Sequence, residues 1–200
     1  MKTTISAMAL TATLAAGATG AGVIAAVPAA GAVAAPHATL LSATVQAQAL
    51  QPWPVLRQGP NSTWPKVTVR SLQYLLNARG ARLAVDGAFG PLTKNAVIAF
   101  QRAHHLAASG VADAGTWRAL VITVRPGSTG PAVRAVQDQV NFRNNKNGRT
   151  LAVDGIFGLR TQAAVRAFQQ GMALEVRGFP VDGVVGPLTW QALVTEALAG

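Results

Sequence analysis

The 200-residue chain contains no cysteine. A disulfide framework and a thiol nucleophile are therefore excluded, and the fold must be held by packing and hydrogen bonds alone. Histidine is nearly as scarce, with only His37, His104 and His105. Adjacent residues on a helix do not face one ion together, and a catalytic zinc needs about three protein ligands, so no metal or other cofactor is expected. No recognisable nucleophile elbow is present for a serine triad. Acidic residues number 7 against 17 Lys and Arg. The aspartates lie in repeated turns, which is poor ground for the paired carboxylates of a glycosidase.

Charge is also missing from one long stretch: Thr3 to Leu56 holds no Lys, Arg, Asp or Glu. Lys2, the apolar run "AMALTATLAAGATGAGVIAAV" and the small-residue site "AVA" at Ala32 to Ala34 read as a secretory signal over residues 1–34. A second possible cut is "AQA" at Ala47 to Ala49. The alternative is a membrane anchor, but Gly and Pro28 interrupt the run, and Leu and Ile are sparse in it. The expectation is an exported, monomeric protein with a disordered tail over 35–53 and no membrane span once the signal is removed. Without Lys2 the chain keeps 16 basic and 7 acidic residues, or +9. Such a chain is drawn to polyanions. Its arginines are scattered singly, which argues against a dedicated nucleic-acid surface.

What the rest of the chain does contain is a repeat. "LAVDGAFGPLT" at Leu83 to Thr93 returns as "LAVDGIFGLRT" at Leu151 to Thr161, and "VDGVVGPLT" follows at Val181 to Thr189. A shift of 68 residues superposes the first two and carries Ala99-Phe100-Gln101 onto Ala167-Phe168-Gln169. A shift of 64 lays Val69, Leu72 and Gln73 on Val133, Val136 and Gln137, and one of 73 lays "TWRALV" on "TWQALV". The unequal shifts place small insertions near Asn144 to Arg149 and near Glu175 to Phe179. Two units result, 54–121 and 124–195, with Ile122 to Gly130 as a short linker that makes them close neighbours.

Within each unit the apolar spacing is helical. Val69, Leu72 and Leu76 share one face, as do Ala96, Val97 and Phe100. Trp117 and Trp190 head a third, short amphipathic helix and belong to the core. The fold class is all-α, with three short helices per unit. Asp-Gly is turn chemistry, the carboxylate accepting backbone N–H bonds and Gly supplying a left-handed conformation. Pro91 and Pro187 then suit a first helical position. "SGVADAGT", Ser109 to Thr116, is a fourth, weaker copy of the corner. Recurrence before each such helix favours a structural corner over a catalytic site.

The ordered set LQ, VDGxFG, T, AV, FQ, DGxxG, TW and AL resembles the three-helix peptidoglycan-binding domain of bacterial wall hydrolases, in two copies covering nearly all of the chain after the signal. The first copy departs from the pattern in its entrance, "RQGPNSTWPKVTVR", and in Ser109-Gly110 where the second has Asp182-Gly183. The resemblance implies non-catalytic binding of peptidoglycan, and the positive charge adds anionic wall polymers as further partners. Such modules are usually appended to an enzyme, and the signal and two modules use up this chain. A small wall hydrolase and a module recognising a wall-associated protein remain the alternatives.

Candidate ligand-binding residues are Tyr74, Arg79, Arg82, Asp86, Gln101, Arg149, Asp154 and Gln169. Asp86 and Asp154 can contact a muropeptide amide or sugar hydroxyl, or simply hold their turns. Gln101 and Gln169, like Gln73 and Gln137, can instead satisfy loop backbone groups. Tyr74 lies off the first helix's apolar stripe and could stack on a sugar beside Arg79 and Arg82, although the second copy has Asp138 there. The more complete second copy is expected to bind more tightly.

Overall fold

The computed structural model describes residues 50–59, 64–144 and 151–195. All of them fall in one compact unit, Thr44 to Gly200. The expected signal lies outside the described residues. Among those described there are six helices: α1 Lys66–Ala78, α2 Pro91–Ala103, α3 Ala114–Leu120, α4 Pro131–Asn144, α5 Leu159–Glu175 and α6 Pro187–Thr195. The only strand pairing described is isolated bridges: Leu56 with Ala112, Val124 with Val185, and Thr129 with Ile156. The chain is all-α, and none of the described helices is long and apolar enough to cross a membrane.

The helices begin where local chemistry dictates. Gly90 caps α2 in an extended conformation, and Pro91, lacking an N–H, occupies the first position. Gly158 caps α5 in the same conformation, and Asp113 caps α3 with its side chain accepting from the Thr116 N–H. The predicted apolar face of α1 is buried at Val69, Leu72 and Leu76, and Trp117 and Trp190 are fully enclosed. Each indole N–H donates to a carbonyl of the segment leading into its own helical triplet, Trp117 to Pro54 at 2.8 Å and Trp190 to Ile122 at 2.7 Å. Residues Ile122 to Gly130 thus act as an integral part of the second triplet and not as a free linker. Val124 bridges Val185, and the Gly127 N–H donates to Phe157 at 3.1 Å.

The lead-in to the first triplet is ordered further back than the sequence suggested. Trp53, assigned to a disordered tail, is 6% exposed and stacks on Trp117 with centroids 5.9 Å apart. Just before it, Leu50 packs on the small cluster of Met172, Phe179 and Ala192, and the Gln51 carbonyl accepts from Gln191 at 2.7 Å. Residues 50–56 therefore touch both triplets. An apolar residue at each contact and a backbone bond at each end explain why this polar-poor segment does not fray.

The two triplets share one core. α1 carries a second buried face, including Thr68, Ser71 and Leu75, because α4 lies against it in the most extensive contact among the described helices. α4 answers with Ala132, Ala135 and Gln139, all buried. The Gln139 amide donates to the Ser71 hydroxyl at 2.9 Å, and at the edge Arg70 grips Asp138 with two bonds of 2.7 and 2.9 Å. One apolar cluster runs continuously from Trp53 and Leu72 to Val133 and Trp190. The insertion in the second triplet is partly helical, α5 having 17 residues against 13 in α2.

Candidate ligand-binding site

Four corners share one hydrogen-bonded knot. At the first, the Gln73 amide nitrogen donates to Asp86 Oδ1 at 2.7 Å, the Ala88 carbonyl at 3.1 Å and Thr93 Oγ1 at 3.2 Å. Its oxygen accepts the Gly87 N–H at 2.9 Å. Gln137 does the same for Asp154, Ile156, Thr161 and Gly155. Gln169 repeats it for Asp182, Val184, Thr189 and Gly183. At the fourth corner Gln101 holds Val111, Thr116 and Gly110, but the serine that stands for aspartate is reached only at 3.5 Å. All four glutamines are buried. A buried amide needs each of its bonds, and here the corner supplies them.

The aspartates are bound through one oxygen. Asp86 Oδ1 takes both the Gln73 amide and the Ala88 N–H at 2.8 Å, and these bonds, the glutamine first, hold the carboxyl below its ordinary pKa. The backbone N–H of Ile156, then Gln137, lowers Asp154. Asp182 is lowered chiefly by the Val184 N–H, and Asp113 by that of Thr116. The glycine beside each of the first three cannot be replaced without strain. Gly155 has φ +78, and an added Cβ would lie 3.0 Å from Arg134 Nε and 3.1 Å from the Gly130 carbonyl.

Beside these elements a groove of about 520 Å³ opens between the end of α1, the loop at Gly80 to Leu83, and α2. Its floor is Leu76, Leu83, Ala96, Ala99 and Phe100, and its rim is Arg79, Arg82, Asn95 and His104. Asn77 pins the loop by donating to the Leu83 carbonyl at 2.9 Å and accepting its N–H at 2.8 Å. Arg79 is anchored by α3, its guanidinium donating to the carbonyls of Ala119, Leu120 and Val121 at 3.2 to 3.4 Å. That position closes the C-terminal end of α3, where unpaired carbonyls favour a cation.

The sequence candidates are therefore separated. Arg79 and Arg82 meet in the groove, whereas Tyr74 does not line it and is half-buried against the core. Asp86 and Asp154 are exposed at their corners, while Gln101 and Gln169 are enclosed with their amides engaged. Arg149 lies outside the described residues. Asn95 and His104 were missed, because neither belongs to a repeated motif. The signal available was the difference between copies, which place Ala163 and Met172 at those positions. No group of three or more His, Asp or Glu that could hold a metal ion is found among the described residues.

The peptidoglycan binding domain model matches twice, over residues 66–120 and 129–193. The chain belongs to the peptidoglycan-binding domain family. Each match spans one helical triplet with its corners. The chain is also 39% identical over 124 residues to the zinc D-Ala-D-Ala carboxypeptidase of Streptomyces albus G, covering 59% of this chain and 45% of that protein. It is 39% identical over 72 residues to an uncharacterized protein of Kitasatospora aureofaciens, covering 36% and 55%. The chain thus spans about half the length of the curated relatives it matches. Among solved structures, a Burkholderia AP3 phage endolysin matches with 36% identity over 36% of this chain and 24% of that one, at a TM-score of 0.29. Both named relatives are enzymes with which this peptidoglycan-binding chain shares only a part.

Proposed function

We propose that the protein is exported and binds wall peptidoglycan without cleaving it, through modules spanning 54–121 and 124–195 that act as one body. The observation that carries this reading is the double family match over the two triplets that share a core. The chemistry supports it. The four corner carboxylates, Asp86, Asp113, Asp154 and Asp182, are engaged in holding turns. Their lowered pKa values are those of structural acceptors and not of a general acid, which needs a raised one. Ligand contact is assigned to the groove of the first module, with Arg82 on its rim.

Co-sedimentation with purified, protein-free sacculi tests the proposal. Pelleting that survives moderate salt is expected, since contacts to neutral sugar and peptide groups are little screened, while the +9 charge left after removal of Lys2 with the signal adds a salt-sensitive part. A protein that stays in the supernatant would overturn the proposal, and is the outcome expected if the modules recognise a wall-associated protein and not the glycan. The relatives that are enzymes motivate a second assay, zymography on wall-impregnated gels, in which clearing would show hydrolysis and overturn the non-catalytic reading.

A further inference from the structure

We infer that the groove of the first module reads a short peptide with small side chains and a free carboxylate, and that the second module does not repeat this reading. The inference rests on the wall-binding proposal above and narrows its ligand to the peptide part of the polymer. Arg82 is exposed and makes no hydrogen bond or ion pair among the described residues, and Asn95 is likewise exposed with no side-chain hydrogen bond among them. Arg79, tethered to α3, adds a second guanidinium, and no acidic residue lines the groove. One open guanidinium fork, Arg82, with the tethered charge of Arg79 beside it and an apolar floor below, selects an anion that carries an apolar body.

The floor and the volume set the rest of the ligand. Ala96 and Ala99 stand one turn apart on α2 and leave room between Leu76 and Leu83 for methyl-sized side chains. A space of about 520 Å³ lies within the usual range for small-ligand clefts. A sugar ring commonly stacks its apolar face on an exposed aromatic side chain. Phe100 is 7% exposed, and the His104 ring covers it at a centroid distance of 4.2 Å. Tyr74 stands outside the groove. The lining therefore suits a peptide and offers no sugar platform.

In the second module the matching positions on α5 carry apolar side chains, and one of them, Met172, is buried. Met172, in place of His104, is 5% exposed and packs with Phe179 and Ala192. Ala163 replaces Asn95. Arg143, in place of Arg79, lies over the Phe168 ring at 5.0 Å and donates to the carbonyls of Ala192 and Leu193 at 2.9 and 2.7 Å. Arg143 thus repeats the anchoring of Arg79, and the position matching Arg82 lies outside the described residues; among those described, it is the exposed Asn95 and His104 that stand in the first copy alone.

The test is a titration of the full chain with a synthetic muramyl peptide bearing a free C-terminal carboxylate. Parallel titrations use the same peptide amidated at that end, the peptide-free disaccharide, and a glycerol-phosphate oligomer. The free acid should bind, and amidation should weaken it by roughly tenfold, the effect of losing one charge-assisted bond. Arg82→Ala should weaken the free acid by a similar factor and make acid and amide equivalent, while Asn95→Ala weakens both, each with an unchanged melting temperature. Equal binding of acid and amide to the unmodified protein overturns the inference. So does saturation by the disaccharide alone, or equally tight binding of the glycerol phosphate. If the protein pellets with sacculi yet ignores amidation, only this inference fails; if it does not pellet, the wall-binding proposal fails.

Discussion

Each corner glutamine links a helix to the loop that follows it, using one side-chain amide for four partners. Replacing Gln137 by leucine keeps the volume but strands the Gly155 N–H and the Ile156 carbonyl that it holds, while the exposed Asp154 carboxylate turns to water. The expected loss is about 2 to 4 kcal/mol, measurable as a lower denaturant midpoint with an unchanged slope. The aspartates give a pH dependence. Their pKa values are lower in the folded than in the unfolded chain, so their contribution is fully present above the unfolded value of roughly 4 and fades as pH falls through the folded values. Thermal melts should therefore be flat from about pH 7 to 5 and fall below about pH 4. Because Asp86 and Asp154 are exposed, the fall should be shallow, and Asp182→Asn, which keeps an accepting oxygen, should flatten it further. At this scale the sequence was informative. Repetition of Asp-Gly before a helix start exposed the corner, and the periodicity of α1 placed Gln73 at the border of its apolar face. The exchange of bonds between glutamine and aspartate, 13 residues apart at the first corner, needed the loop's path in space.

At the scale of elements, the segment before the first helix acts as a strap. Trp53 stacks on Trp117, Leu56 bridges Ala112, and Gln51 reaches α6. Trp53→Ala should cost about 3 kcal/mol through the lost burial and ring contact, read as a drop in melting temperature of roughly 6 to 12 °C. A free tail, as composition suggested, would show no change. The segment looked disordered because it is short, uncharged and unperiodic. Its order comes from the Trp117 face that it covers, a partner 64 residues away in the chain. The helices themselves were legible, since Val69, Leu72 and Leu76 recur at helical spacing and Pro91 marks a first turn.

At the scale of the whole molecule, the contact between α1 and α4 makes one cooperative body from two repeats. The full chain should unfold in a single transition, with the same midpoint by far-ultraviolet circular dichroism and by tryptophan fluorescence. Two separated transitions would show independent modules. The first module alone, residues 54–121, should melt well below the full chain, because separation exposes Leu75 and uncovers the buried Thr68 and Ser71. The sequence by itself determined the helical class, the double repeat, the corners and the two buried tryptophans. These follow from local rules: periodicity, turn chemistry and the self-similarity of one chain. The tertiary structure alone decided that the repeats share a core, that residues 122–130 belong to the second module, and that Arg82 and Asn95, without a partner among the described residues, rim a groove in the first. Those facts depend on which helix face meets which, and a second buried face on α1 carries no periodic mark, since Thr68 and Ser71 are as polar as residues left in water.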